Sequence, residues 1–176
     1  VLRYLRSSMS PLTADECDGV ENYAIIWRIR GKAWLEPWKS HPDGLSGAWD
    51  EDSRARLEKL NTLRQTAMEP LETLSLGFQN AKNLQEQVLA VYAFLQDIRL
   101  EQRLEELAAA LDAQGDNRSA QILNQLWEIL LSALEQMHDV LGQTHWEPEH
   151  FLRLFRLLLS QYDVGTIPPV LDAVQV

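Results

Sequence analysis

Cysteine is nearly absent from this chain: Cys17 is the single one in 176 residues. One thiol cannot close an intrachain disulfide or furnish a cysteine-based zinc site. A reducing, cytoplasmic setting is the expectation. Long apolar runs are also missing. No stretch reaches the roughly 18 residues of a membrane span, and "FLRLFRLLLS" is interrupted by Arg153 and Arg156. The opening "VLRYLRSSMS" has no apolar core of the length a signal peptide needs. Phosphate-cradling patterns of the GxxxxGK[ST] and GxGxxG kind are absent, as are GxSxG and HExxH. Of the four histidines, His145 and His150 flank Glu147 and Glu149, but their spacing puts them on different faces of a helix. Cys17 lies among Asp15, Glu16 and Asp18, an acidic setting unsuited to a nucleophile. The residues therefore nominate no catalytic group, no metal ligand set and no cofactor site.

What is present suits a folded helical protein. Hydrophobic residues make up 45% and charged residues 24%, and a chain of this length buries a core without disulfides or metals. One helical domain over 1–176 is expected. The net charge of -10 is unevenly placed: residues 1–64 hold ten Lys/Arg and ten Asp/Glu, whereas residues 65–176 hold six and sixteen. The acidic part repels phosphate, so any nucleic-acid contact belongs to the first third. The chain opens at Val1 and closes on "LDAVQV", which reads as a piece excised from something longer.

The periodicity predicts helices. Thr13 and Glu16 have capping-box spacing, Val20, Tyr23, Ala24 and Trp27 then share a face, and Gly31 is the expected stop. "KAWLEPWKSHPDGLSGAW" reads as a loop, with two prolines, two glycines and a Pro-Asp-Gly turn signal, pinned to the body by its aromatics. A second helix starts after Asp50 with a stripe of Leu57, Leu60, Leu63, Leu71 and Leu74; Pro70 is expected to kink or split it. The stretch from "NLQEQ" to Gly115 is expected to be helical nearly throughout, its stripe including Leu84, Val88, Val91, Leu95, Ile98, Leu104, Leu107 and Leu111. A fourth is capped by Asp116 or Asn117 and ends at Gly142. The last has capping-box spacing at Thr144 and Glu147, with Pro148 in its first turn. Pro168 and Pro169 end helix formation, and "VLDAVQV" alternates like a strand. The fold class expected is all-α: an irregular bundle of about five or six helices with a Trp-rich loop and a short extended C-terminal end.

The stretch "ENYAIIWRIRGKAWLEPWK" gathers Trp27, Trp34 and Trp38 with Arg28, Arg30, Lys32 and Lys39. Aromatics interleaved with cations can stack on bases and pair with phosphates. The same composition also describes tryptophans that anchor a loop while cations stay in water. The candidate DNA-binding residues are Arg28, Arg30, Lys32 and Lys39 as phosphate partners, with Trp34 and Trp38 as stacking candidates.

"VLRYLRSSMSPLTADECDGVENYAIIWRIRGKAW" resembles a stretch of the B subunit of the AddAB-type (RexAB) bacterial ATP-dependent helicase–deoxyribonuclease. The resemblance rests on Tyr4, Leu5, Pro11, Leu12, Asp18, Glu21, Asn22, Tyr23, Ile29, Arg30, Gly31, Lys32 and Trp34, and on Ile167, Pro168, Leu171, Asp172, Val174 and Val176 near the other end. At Trp27-Arg28 the sequence departs from the family, which more often has a small or aromatic residue followed by glycine. The resemblance implies a parent with a degraded motor and a nuclease domain, using ATP, Mg and an iron–sulfur cluster. It also implies an A subunit with the active motor, and a task in double-strand break repair and recombination. These residues would then be an accessory helical subdomain inserted in the second motor-like domain, not a catalyst by itself. Its task would be DNA guidance or contacts with the A subunit and the rest of the parent chain. The alternatives are a protein–protein scaffold that DNA never touches, and an independent helical regulator that binds a partner helix.

Overall fold

The computed structural model describes residues 1–7, 9–45, 47–141 and 145–162. Among them the chain is all-α, with seven helices and a 3-10 turn at Gly31–Trp34, and no strand. The helices are α1 (Leu2–Leu5), α2 (Ala14–Ile26), α3 (Glu51–Asn80), α4 (Leu84–Asp97), α5 (Leu100–Ala113), α6 (Asn117–Leu141) and α7 (Pro148–Leu159). The expected strand-like end and the Gly142 stop lie outside the described residues. The chain divides into two compact units, Val1–Leu76 and Gly77–Val176.

The helix starts follow from side chains that satisfy free backbone N–H groups. Thr13 accepts from the Glu16 N–H at 3.4 Å while the Glu16 carboxylate accepts from the Thr13 N–H at 2.9 Å, a complete capping box. Asp50 accepts from the Ser53 N–H at 2.7 Å, and the Asp50 N–H donates back to Ser53 Oγ at 3.0 Å. Asn83 opens α4 by accepting from the Glu86 N–H at 3.0 Å. Asp116, rather than Asn117, opens α6, accepting from the Ser119 N–H at 3.1 Å. Gly115, at φ 86, closes α5 as expected. There the Asp116 N–H reaches the Leu111 carbonyl at 3.0 Å and the Gly115 N–H reaches that of Asp112 at 2.9 Å.

Three expectations change. Pro70 does not split α3, which stays helical over 30 residues. The long helix over 83–114 is two helices, because Arg99 takes a left-handed conformation at φ 51. That turn resets the phase, so α5 buries Leu104 and Ala108 while Leu107 is exposed. The third concerns α7, which begins at Pro148 with Glu147 as its unbonded N-cap, later than a cap at Thr144 would place it. Proline at the first helical position loses no hydrogen bond, since that N–H has no partner in a helix anyway.

Each unit has its own core. In the first, Leu5, Cys17, Val20, Tyr23, Ala24, Trp34, Trp38, Ala67 and Met68 are buried together, with Leu57, Leu60, Leu63 and Leu71 partly buried against them. In the second, α6 packs on α4, α5 and α7 around residues that include Leu84, Trp127, Leu134, Met137 and Phe151. Gln87, fully buried, clamps the approach to α7: its amide donates to the Trp146 carbonyl at 2.6 Å and accepts from the Trp146 N–H at 3.0 Å. His145 shares a hydrogen bond of 2.9 Å with the Ala81 carbonyl.

Candidate nucleic-acid interface

The segment after α2 is shaped by how that helix ends. The Ile29 N–H donates to the Ala24 carbonyl at 2.8 Å, and the Arg28 N–H to the Ile25 carbonyl at 3.2 Å. These two bonds make a Schellman closure, whose hinge residue must be left-handed. That residue is Arg28, at φ 52. The helix therefore stops at Ile26 and not at Gly31, which is itself left-handed at φ 53 and leads into the 3-10 turn. Ile29 turns in against the core, and Arg28 and Arg30 on either side of it are exposed.

The tryptophans turn inward. Trp34 is 4% exposed and Trp38 5%. Trp38 stacks on Tyr23 with centroids 4.5 Å apart and planes 10° apart, and Trp34 meets it edge-on at 5.4 Å. The polar atoms of Trp38, Trp27 and Tyr23 are satisfied inside the unit. Trp38 Nε1 donates to the Ala33 carbonyl at 3.0 Å, and Trp27 Nε1 to the His41 carbonyl at 3.0 Å. Tyr23 bonds the backbone of Ser40. Trp34 and Trp38, expected as stacking candidates, are here buried among core partners.

Helix α3 holds the segment from the other side. Asn61 accepts from the Trp38 N–H at 2.7 Å and donates to its carbonyl at 2.9 Å. Buried Arg64 donates to the Trp34 carbonyl at 2.9 Å, and loss of hydration lowers its pKa from the ordinary arginine value. Local spacing did not single out Asn61 or Arg64; the only signal was their place on the α3 face that carries Leu57, Leu60 and Leu63.

Arg28, Arg30, Lys32 and Lys39 are all exposed, and none makes an ion pair among the described residues. Of the other cations of this unit Arg6 and Arg56 are engaged, while Arg3, Arg54 and Lys59 are likewise exposed without an ion pair among the described residues. Arg6 pairs with Glu21 and Asp18, and Arg56 grips Asp43 with two bonds of 2.8 and 2.7 Å. The four candidate cations are thus exposed and the two tryptophans between them are buried. No cluster of three or more metal-ligating side chains occurs among the described residues, and no described helix is long and apolar enough to cross a membrane.

An all-α chain of two compact units defines a class only broadly: a helical region without a legible catalytic site among the described residues. The comparisons with known proteins are more specific. No protein-family model matches the chain. It is 30% identical over 178 residues to the B subunit of the ATP-dependent helicase/deoxyribonuclease of Clostridium botulinum (strain Hall), covering 100% of this chain and 16% of that protein. The same subunit of Caldanaerobacter subterraneus is 30% identical over 100% of this chain and 15% of its own length. That of Clostridium kluyveri is 32% identical over 100% of this chain and 16% of its own length. The chain is therefore homologous along its whole length to a region of the ATP-dependent helicase/deoxyribonuclease B subunits. It spans about 16% of the length of these curated relatives.

Proposed function

We propose that this region is a non-catalytic helical subdomain through which its parent subunit touches the DNA backbone. The parent would act in a two-subunit helicase–nuclease of break repair and recombination, with DNA and an A subunit as partners. One observation carries the reading: Arg28, Arg30, Lys32 and Lys39 are exposed and unpaired among the described residues, on a segment anchored by Trp34 and Trp38. With the rings buried, the contact is electrostatic and independent of sequence, since phosphates give affinity without reading bases. The iron–sulfur cluster implied for the parent does not fit this region. Cys17 is the single thiol here, buried and bonded to the Leu5 carbonyl, whereas such a cluster takes several cysteines.

The second reading is a pure protein–protein joint, favoured by the same burial of Trp34 and Trp38. Arg28→Glu/Arg30→Glu/Lys32→Glu in the intact two-subunit complex separates the two. If these residues meet phosphates, duplex affinity falls and the salt slope shrinks by about 0.9 for each phosphate no longer neutralised. Unchanged affinity and slope with altered subunit assembly would instead select the joint.

A further inference from the structure

A second surface of the first unit has the opposite chemistry. The turn after His41 carries Leu45, which is 94% exposed. Ile26, 41% exposed, lies beside it, because a Cβ on Gly44 would sit 3.7 Å from its Cγ2. Trp49, 46% exposed, packs edge-on to His41 with centroids 4.7 Å apart.

The base of this turn is fixed. The Asp43 N–H donates to His41 Nδ1 at 3.1 Å, which leaves Nε2 to donate to the Ala48 carbonyl at 3.2 Å. Gly47 lies so close to the ring that a Cβ there would be 2.1 Å from it. Arg56 ties Asp43 to α3. An exposed leucine held on a fixed base loses little conformational freedom on docking.

We propose that Leu45, with Ile26 and Trp49, is an apolar knob that docks into an apolar recess on the remainder of the parent subunit, outside these 176 residues. Its charge speaks against nucleic acid. Between His41 and Asp52 there are four acids, Asp43, Asp50, Glu51 and Asp52, and no Lys or Arg. Its size speaks against a freely diffusing partner, because three side chains make a small interface. A covalently attached partner is different, since effective concentrations of order mM let a small contact hold. The chain spans only about 16% of its relatives, so most of the subunit is available to supply that recess. The knob is distinct from the four cations, and either surface can fail without the other.

The test is hydroxyl-radical footprinting of the intact subunit, read at Trp49 and Ile26, for wild type and Leu45→Asp. Leu45 contacts nothing that holds the unit together, so Leu45→Asp leaves the fold in place, as circular dichroism would verify. The expected result is protection in wild type without DNA, and a rise in modification of roughly tenfold in the variant, the scale set by burying one large apolar side chain. Equal modification in both proteins overturns the proposal. Protection that appears only with duplex DNA overturns it in favour of a nucleic-acid contact. Protection that disappears on dilution overturns it in favour of self-association.

Discussion

At the scale of single residues, Arg28 carries two loads that can be separated. Its backbone occupies the left-handed hinge of the α2 closure, where a Cβ costs roughly 1–2 kcal/mol, and its guanidinium is one of the four exposed cations. Arg28→Gly is expected to raise unfolding stability by about 1 kcal/mol, read as a higher urea midpoint at constant m-value. The same substitution removes one phosphate partner, so DNA affinity of the complex falls while stability rises. A loss of both would mean that the Arg28 side chain packs into the unit. This residue also marks where sequence reading stopped. The end of α2 was expected at Gly31, because glycine is the common left-handed residue. The structure uses Arg28 because Ile29 must turn inward to reach the core beside Ala24.

At the scale of elements, the starts of α2, α3 and α6 were legible and the interruptions were not. Thr13, Asp50 and Asp116 are short polar residues placed just before apolar periodicity, and each accepts the N–H its position predicts. The break at Arg99 has no such signature: leucine, glutamate and arginine around it all favour helix, and only packing of α4 and α5 on α6 requires the turn. The tryptophans show the same limit. Their spacing suited both a stacking platform and a core anchor, and it is Tyr23, in the preceding helix, that covers Trp38. The caps also make a pH prediction. Hydrogen bonds from Ser53, Ser119 and Thr13 hold the carboxyls of Asp50, Asp116 and Glu16 below the ordinary carboxylate range, and Arg56 does so for Asp43. A carboxyl depressed in the folded state contributes stability above its unfolded pKa, near about 4, and loses it as pH falls through the lower folded value. Thermal melting is expected to hold steady from neutral pH to about 5 and then drop towards about 3. Asp50→Asn/Asp116→Asn should melt with a shallower acid dependence. An identical acid profile for variant and wild type would remove the caps from the explanation.

At the scale of the whole chain, charge divides as the compact units do. Val1–Leu76 holds ten Lys/Arg against twelve Asp/Glu, and Gly77–Val176 holds six against fourteen. A phosphate backbone is repelled by the second unit on average, so a cation there contributes less to DNA binding than one in the first. Arg153 and Arg156 provide the comparison, because both are exposed on α7 within the acidic unit. Arg153→Glu/Arg156→Glu is expected to leave the affinity and salt slope of the intact complex close to wild type. Arg28→Glu/Arg30→Glu/Lys32→Glu changes three charges instead of two, and should reduce the slope by up to about 2.7 if all three meet phosphates. The contrast matters more than either value, since any charge reversal weakens long-range attraction a little. Equal losses per charge in the two variants would mean that only net charge is sensed, and Arg28, Arg30, Lys32 and Lys39 would then have no special place in DNA binding.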